Sequence, residues 1–198
     1  SDPFLTAGTG GGVLPGNPGT PESNGTGALR LTPDLTAEAA FVIYNNPIPI
    51  EYGLQMTFEF FSYSGSGADG ISFFLIDGTE TPTVAGAFGG SLGYAQNINL
   101  GNSGIKGGYF GIGFDEFGNF SNAGSARVGG PGKTLDSVAI RGREADDYKY
   151  STIHNKIQKD RLRIKTEPHY LEEIVIPNDL EKYLNYLINY IILNIMLI

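Results

Sequence analysis

The chain contains no cysteine and is poor in positive charge. Without cysteine it can form no disulfide bond, thiolate metal site or cysteine nucleophile, which excludes several classes of enzyme. Its 13 Lys and Arg residues stand against 21 Asp and Glu residues, giving a net charge of -8. Nucleic acids and anionic membranes are bound through a basic surface that displaces counterions, so neither partner is expected. Small neutral ligands and cations remain compatible with this composition.

Glycine is absent from the last part of the chain, because all 29 glycines lie at or before Gly142. Residues 143–198 instead hold 8 of the 13 Lys and Arg residues. We therefore expect one main domain over 27–142, preceded by a Gly/Pro-rich lead at 1–26. The segment 143–198 is an atypical tail that either completes this domain in an unrelated way or replaces its end.

The hydrophobic pattern before residue 143 is that of short β-strands. Apolar and polar residues alternate in 28–32 and 54–61, and short apolar runs occupy the other predicted strands, at 41–44, 71–76, 109–114 and 138–140. The run 71–76 is continuous, which is typical of a strand covered on both faces. With turn signals between the runs and no helical period, the sequence predicts two packed antiparallel sheets.

The tail carries two further patterns. Alternation in 160–166 predicts a strand with one wet face. Asp179 is placed to cap a helix over 180–198, whose apolar part is shorter than the roughly 20 residues that span a bilayer. We therefore expect a packed or aggregation-prone helix there and no membrane anchor.

One segment has the spacing of an oxygen-rich metal site. Asp115, Phe117 and Asn119 alternate along an extended segment, so they face the same way. Their carboxylate, main-chain carbonyl and amide oxygens suit Ca²⁺ better than a transition metal. They supply only about four of the 6 to 8 oxygens that Ca²⁺ takes, and Asp136 is a candidate for one more. The alternative is a simple turn capped by Asn119.

Three segments, in this order, resemble the legume-type (L-type) lectins. They are Ala-Asp-Gly-Ile-Ser-Phe-Phe-Leu at 68–75, Gly-Gly-Ser-Leu-Gly at 89–93 and Phe-Asp-Glu-Phe-Gly-Asn at 114–119. The resemblance covers about 27–142 and is closest to bacterial members of the concanavalin A-like superfamily. It implies an all-β, antiparallel β-sandwich of the jelly-roll type.

The resemblance also implies a role for each matched residue. Asp69 would follow a cis peptide bond and accept hydrogen bonds from sugar hydroxyls, and a backbone N–H of the glycine segment would donate to the sugar. Asn119 would bind both calcium and sugar, and the ring of Phe117 would cover the sugar's apolar face. The implied sugar contacts are Asp69, Gly89, Gly90, Ser91, Phe117 and Asn119. The implied calcium ligands are Asp115, Phe117 and Asn119.

Two positions depart from the plant members of this family. Gly113 stands where they have a glutamate that holds a transition metal, and Ala123 stands where they have a further acidic ligand. We therefore expect no Mn²⁺ site, and a calcium site that is weaker or completed differently.

The expected function is calcium-dependent, reversible carbohydrate binding by a lectin-like recognition or adhesion module, without catalysis. The expected partners are glycans or glycoconjugates, and the chain could also form a homo-oligomer. The expected location is extracellular or at the cell surface. The chain begins Ser1-Asp2-Pro3 without an apolar leader, so we expect any export signal to have been removed or never present.

Two alternatives stay open. A sandwich-fold glycoside hydrolase needs two carboxylates flanking one bond, whereas the adjacent Asp115 and Glu116 point to opposite faces of a strand. A structural surface module that has lost sugar binding is the other. His154 and His169 lie in the tail without a nearby nucleophile and are expected at the surface.

Overall fold

The computed structural model describes residues 4–5, 29–32, 35–44, 46, 48, 54–60, 68–151, 170–176 and 188–197. These residues contain nine β-strands, four single 3₁₀ turns and no α-helix. The strands are β1 (Phe4–Leu5), β2 (Leu29–Arg30), β3 (Val42–Tyr44), β4 (Leu54–Phe60), β5 (Asp69–Asp77), β6 (Gly108–Asp115), β7 (Ser137–Arg141), β8 (Tyr170–Ile176) and β9 (Ile188–Leu197). The 3₁₀ turns are Gly89–Ser91, Ile98–Leu100, Gly124–Ala126 and Glu144–Asp146.

Every strand pair among the described residues is antiparallel. Five strands form one sheet in the order β3-β9-β5-β6-β7, while β4 pairs with β8 and β1 pairs with β2. The predicted all-β, antiparallel class is therefore confirmed for this part of the chain. The predicted strands from 28 to 140 are all present, with ends that differ from the expected ones by no more than two residues.

The central strand β5 is buried on both faces, as its continuous apolar run predicted. Gly70 and all six residues after it, up to Ile76, are buried. Ile71, Phe73 and Leu75 enter one hydrophobic core, while Phe74 and Ile76 enter a second core on the opposite face. Alternation along the strand sends successive side chains to opposite faces, so one strand serves both cores.

The first core joins β4 to the five-stranded sheet through aromatic rings. The ring of Phe58 lies 6.3 Å from that of Phe73 and 6.1 Å from that of Phe114, centroid to centroid. Phe60 is buried and lies 5.9 Å from Phe114. These rings remove large apolar surfaces from water, which anchors β4 against β5 and β6.

Within the described part of the chain, loops cover the second core. Tyr94 and Tyr148 are fully buried, with ring centroids 5.2 Å apart, and Phe120 packs beside Tyr94. The hydroxyl of Tyr94 donates to the carbonyl of Gly142 (2.8 Å), so this buried polar group is satisfied. The segments that carry the candidate site are thereby fastened to one face of the sheet.

The helix predicted over 180–198 is wrong where the structure describes it. Residues 188–197 form β9, which lies between β3 and β5 and pairs with both. The segment is rich in isoleucine, and β-branched side chains favour a pleated strand next to a buried neighbour. A mostly apolar run without a clear period does not distinguish a buried strand from a buried helix, so the sequence pattern alone predicted the wrong element.

Other predictions for the ends of the chain lie mostly outside the described residues. These are the strand at 160–166, His154, His169, the helix start at 180–187 and the lead at 1–26 apart from Phe4–Leu5. Within the tail, β8 pairs with β4 along seven residues, a strand that the sequence patterns did not predict.

Paired isoleucine substitutions test the double burial of β5. Ile76 is 0% exposed in the second core, whereas Ile98 is 65% exposed. Ile76→Ala should lower the free energy of unfolding by about 2–5 kcal/mol, because it leaves a cavity among buried side chains. Ile98→Ala should change it by less than about 0.5 kcal/mol. Urea denaturation of both variants measures the difference, and equal effects would contradict the burial of β5.

Candidate functional site

Two neighbouring inner strands each place an aspartate at the same end of the five-stranded sheet, which we call the site edge. β5 begins at Asp69 and β6 ends at Asp115, and the register sets Gly70 opposite Asp115. Gly70 permits this close pairing, because a Cβ atom there would lie 2.1 Å from the carbonyl oxygen of Phe114. The Ala68–Asp69 peptide bond is cis, as the lectin resemblance implies.

Asp69 also holds the segment that follows β6. Its main-chain carbonyl accepts hydrogen bonds from the N–H groups of Glu116 (3.0 Å) and Phe117 (3.3 Å). Its side chain stays partly exposed at this edge. Burial raises the pKa of the Asp69 carboxyl, and the positive charges of Arg127 and Lys133 partly oppose that rise.

The glycine turn Gly89–Ser91 comes up against both of these segments. A Cβ atom at Gly89 would lie 3.7 Å from Oδ2 of Asp69, and one at Gly90 would lie 2.2 Å from Cβ of Asn119. No side chain fits at position 90, so glycine is what allows the turn and Asn119 to touch. The structure thus brings Asp69, Gly89, Gly90 and Asn119 together, while their roles in binding stay predictions.

Ser91, the last residue of this turn, is in contrast fully buried. It is 0% exposed, and its hydroxyl donates to the carbonyl of Gln96 (2.9 Å) and accepts from Nη1 of Arg127 (3.0 Å). Its side chain therefore supports the turn from below, and direct contact with a ligand would fall to the more open Gly89.

Asp115 is fully buried and holds the backbone of the segment after it. Oδ1 accepts the N–H of Gly118 (2.7 Å), and Oδ2 accepts the N–H of Phe120. Burial raises the pKa of Asp115 to about 6, although these two hydrogen bonds favour the ionised form and oppose the rise. Both carboxylate oxygens thus shape residues 118–122, which we call the Asn119 loop.

Phe117 is the exposed aromatic ring of the site, with 37% of the residue accessible. The Nζ atom of Lys133 lies 3.3 Å from the centre of this ring, in cation–π geometry. One face of the ring is thereby occupied by an ammonium group. A ligand that stacks on Phe117 must take the other face or displace Lys133.

Three cationic residues at or beneath the site were not predicted from the sequence. Arg127 contacts the glycine turn through Ser91, Lys133 lies on Phe117, and Arg141 is 0% exposed under the Asn119 loop. A signal was present, since only five Lys and Arg residues occur before Arg143 and these are three of them. Their scarcity marks them, but no local motif shows that they converge.

The donor set fits calcium poorly. Of the three predicted ligands, Asp115 already uses both oxygens for backbone N–H groups, so a metal would have to share them. Within the described residues, no group of three or more His, Asp or Glu side chains is placed to hold a metal ion. The positive charge of Arg127 also acts on the carboxyls of Asp69 and Asp115. The calcium requirement stays a prediction.

The position of Gly113 shows why no side chain is accommodated there. A Cβ atom at Gly113 would lie 2.4 Å from Cδ1 of Phe120 and 2.9 Å from Cδ1 of Leu92. Phe120 and Leu92 fill the space into which a residue at 113 would project. Ala123, the other departure from the plant lectins, is exposed beside the Asn119 loop.

No family model, curated protein sequence or solved structure matches this chain. Among the residues that the structure describes, no helix has the length and apolar character needed to cross a membrane.

The contact between the glycine turn and the Asn119 loop can be tested with Gly90→Ala. The added Cβ atom would clash with Cβ of Asn119, so the two segments must separate. We expect a loss of about 1–3 kcal/mol in the free energy of unfolding, measured by chemical denaturation. Amide chemical shifts should also change in the Asn119 loop.

Gly142→Ala is the matched control, because the nearest atom to a Cβ there is the carbonyl oxygen of Lys149 at 3.4 Å. This variant should stay within about 0.5 kcal/mol of the parent protein. If Gly90→Ala is as stable as Gly142→Ala, the proposed contact does not exist.

Proposed function

We propose that the edge formed by Asp69, the glycine turn and the Asn119 loop binds carbohydrate reversibly. The observation that carries this proposal is the convergence of three separate segments, in which positions 89 and 90 lie against Asp69 and Asn119. The same three segments carry the resemblance to L-type lectins. The geometry and the sequence resemblance therefore support the same site.

The groups at this edge suit the hydroxyls of a sugar. The ionised side chain of Asp69 is an acceptor, and the amide of Asn119 offers both a donor and an acceptor. The backbone N–H groups of the glycine turn would add donors, with Gly89 the more open of the pair and Gly90 buried against Asn119. Because each sugar hydroxyl can donate and accept, fixed groups of both kinds can recognise neighbouring hydroxyls.

Phe117 would supply the apolar part of the contact. Its exposed ring can pack against the C–H face of a sugar, because an aromatic ring offers a flat apolar surface. Lys133 on one side of the ring adds a positive charge at the rim of the site. A bound sugar would pack on the face that Lys133 leaves open.

Binding without catalysis is the form of activity that this arrangement favours. Hydrolysis of a glycosidic bond needs two carboxyl groups presented to the substrate, one on each side of the bond. Asp115 is 0% exposed and both its oxygens hold backbone N–H groups. This leaves Asp69 as the carboxylate at the open edge that is placed against the glycine turn.

The complete architecture that we propose is a concanavalin A-like jelly-roll sandwich. The packing of β4 aromatics on one face of the five-stranded sheet supports two facing layers. A module of this kind would recognise glycans or glycoconjugates outside the cell or at its surface, in adhesion. Self-association would raise its avidity for multivalent glycans.

Asp69→Asn tests the site directly. The substitution keeps the shape of the side chain and removes its charge, so hydrogen bonds from sugar hydroxyls should weaken. Hydrogen bonds to charged groups contribute about 1.5–3 kcal/mol, so affinity for the best ligand on a glycan array should fall by roughly 10- to 100-fold. Asp77→Asn, at the opposite end of β5, is the control and should bind like the parent protein.

Two outcomes would replace the lectin proposal. Absence of binding to any glycan on the array would favour a structural surface module. Release of reducing sugar from a β-glucan would favour a glycoside hydrolase, and Asp69→Asn should then abolish that release.

A further inference from the structure

The Asn119 loop is held through its backbone by charged side chains at both ends. Asp115 accepts the N–H groups of Gly118 and Phe120, as described above. Arg141 donates from Nε to the carbonyl of Phe120 (2.7 Å) and from Nη2 to that of Asn122 (3.0 Å). The Asp115 carboxylate thus accepts from backbone N–H groups, and the Arg141 guanidinium donates to backbone carbonyls. Because one partner is charged, each of these hydrogen bonds is stronger than a neutral one.

Arg127 connects this loop to the glycine turn. Its Nε donates to the carbonyl of Asn122 (3.1 Å), which Arg141 also contacts. Its Nη1 donates to the hydroxyl of Ser91 in the turn (3.0 Å). One rigid guanidinium therefore joins the two segments that meet at Gly90 and Asn119.

Both arginines are buried, and they donate to backbone carbonyls and to the hydroxyl of Ser91 in place of water. Arg127 is 5% exposed and Arg141 is 0% exposed. Arg141 completes its contacts with the carbonyls of Val128 (3.1 Å) and Tyr148 (3.0 Å). A buried charge is tolerated only where its N–H groups find partners, so these arginines hold the loop in one conformation.

The same charges make the site unfavourable for a divalent cation. Arg127 is near enough for its charge to act on both Asp69 and Asp115. A cation bound to those carboxylates would be repelled by this guanidinium in a region of low dielectric constant. The oxygens of Asp115 would also have to share their lone pairs with the amides that they already accept.

We propose that Asp115, Arg127 and Arg141 form a clamp that positions Asn119 in place of a metal ion, so that the site binds sugar without divalent cations. This inference rests on the proposed carbohydrate binding for its ligand. The clamp itself is a property of the protein alone and can be tested without a sugar.

The first experiment needs no ligand. Thermal unfolding of the full chain is followed in excess EDTA, in millimolar CaCl₂ and in millimolar MgCl₂. A cation that binds the folded protein and is present at a free concentration of a hundred times its Kd would raise Tm by roughly 5–10 °C. The clamp predicts a shift of less than about 1 °C with either metal, and a calcium-specific rise of several degrees would overturn it.

The second experiment uses the best ligand from the glycan array. Its Kd, measured by titration calorimetry, should differ by less than about twofold between EDTA and CaCl₂, because no cation enters the site. Loss of binding in EDTA, restored by calcium, would overturn the metal-free clamp and leave the lectin function intact. If no glycan binds in either buffer, the proposed function fails, and the thermal experiment alone decides whether the clamp is metal-free.

Arginine variants test the positioning role. Arg127→Met should weaken ligand binding by more than about tenfold, and Arg127→Lys should restore part of the affinity by returning one charged donor. Arg143→Met is the matched control, since Arg143 pairs with Asp146 on the surface. Its affinity should equal that of the parent protein. If Arg127→Met, checked for folding by circular dichroism, also binds like the parent, the clamp does not position the site.

Discussion

The antiparallel pairing of β5 with β6 is the constraint on which the rest of this structure depends. It places the apolar residues of β5 in two cores at once, and its register brings Asp69 and Asp115 to one edge. Glycine at position 70 makes that register sterically accessible, since any side chain would meet the neighbouring carbonyl. A stable hydrophobic sheet therefore fixes where polar groups emerge, which is how a rigid scaffold positions a binding site.

The loops at this edge depend on buried charge as well as on apolar contact. Asp115 and Arg141 are each 0% exposed, and their polar atoms hold the backbone of one loop. Moving such groups out of water is costly, and that cost is offset only when nearly every donor and acceptor is paired. The loop conformation and the charged side chains consequently specify each other, and removing one charge takes a hydrogen-bond partner from each backbone group that it holds.

Local sequence patterns identified secondary structure correctly where burial follows directly from the spacing of apolar residues. The alternation in β4 and the continuous run in β5 identified strands and their covered faces, because period and burial are linked in a sheet. The tail shows where that reasoning stops. β9 is mostly apolar and was expected to be helical, but its partners β3 and β5 lie more than a hundred residues away in sequence. Non-local pairing of this kind overrides local preference.

The sequence by itself determined the strand class and the identity of the groups at the candidate site. Asp69, the glycine pair and Asn119 stand in recognisable segments whose chemistry can be read from residue type. Only the tertiary structure decided that they meet, and that Arg127 and Arg141 hold them from below. Arg141 donates to carbonyls as much as 21 residues away, and nothing in its neighbours along the chain marks those partners. The partners of a buried charge depend on which loops the fold packs around it, so they exist only once the sheet and its two cores have formed.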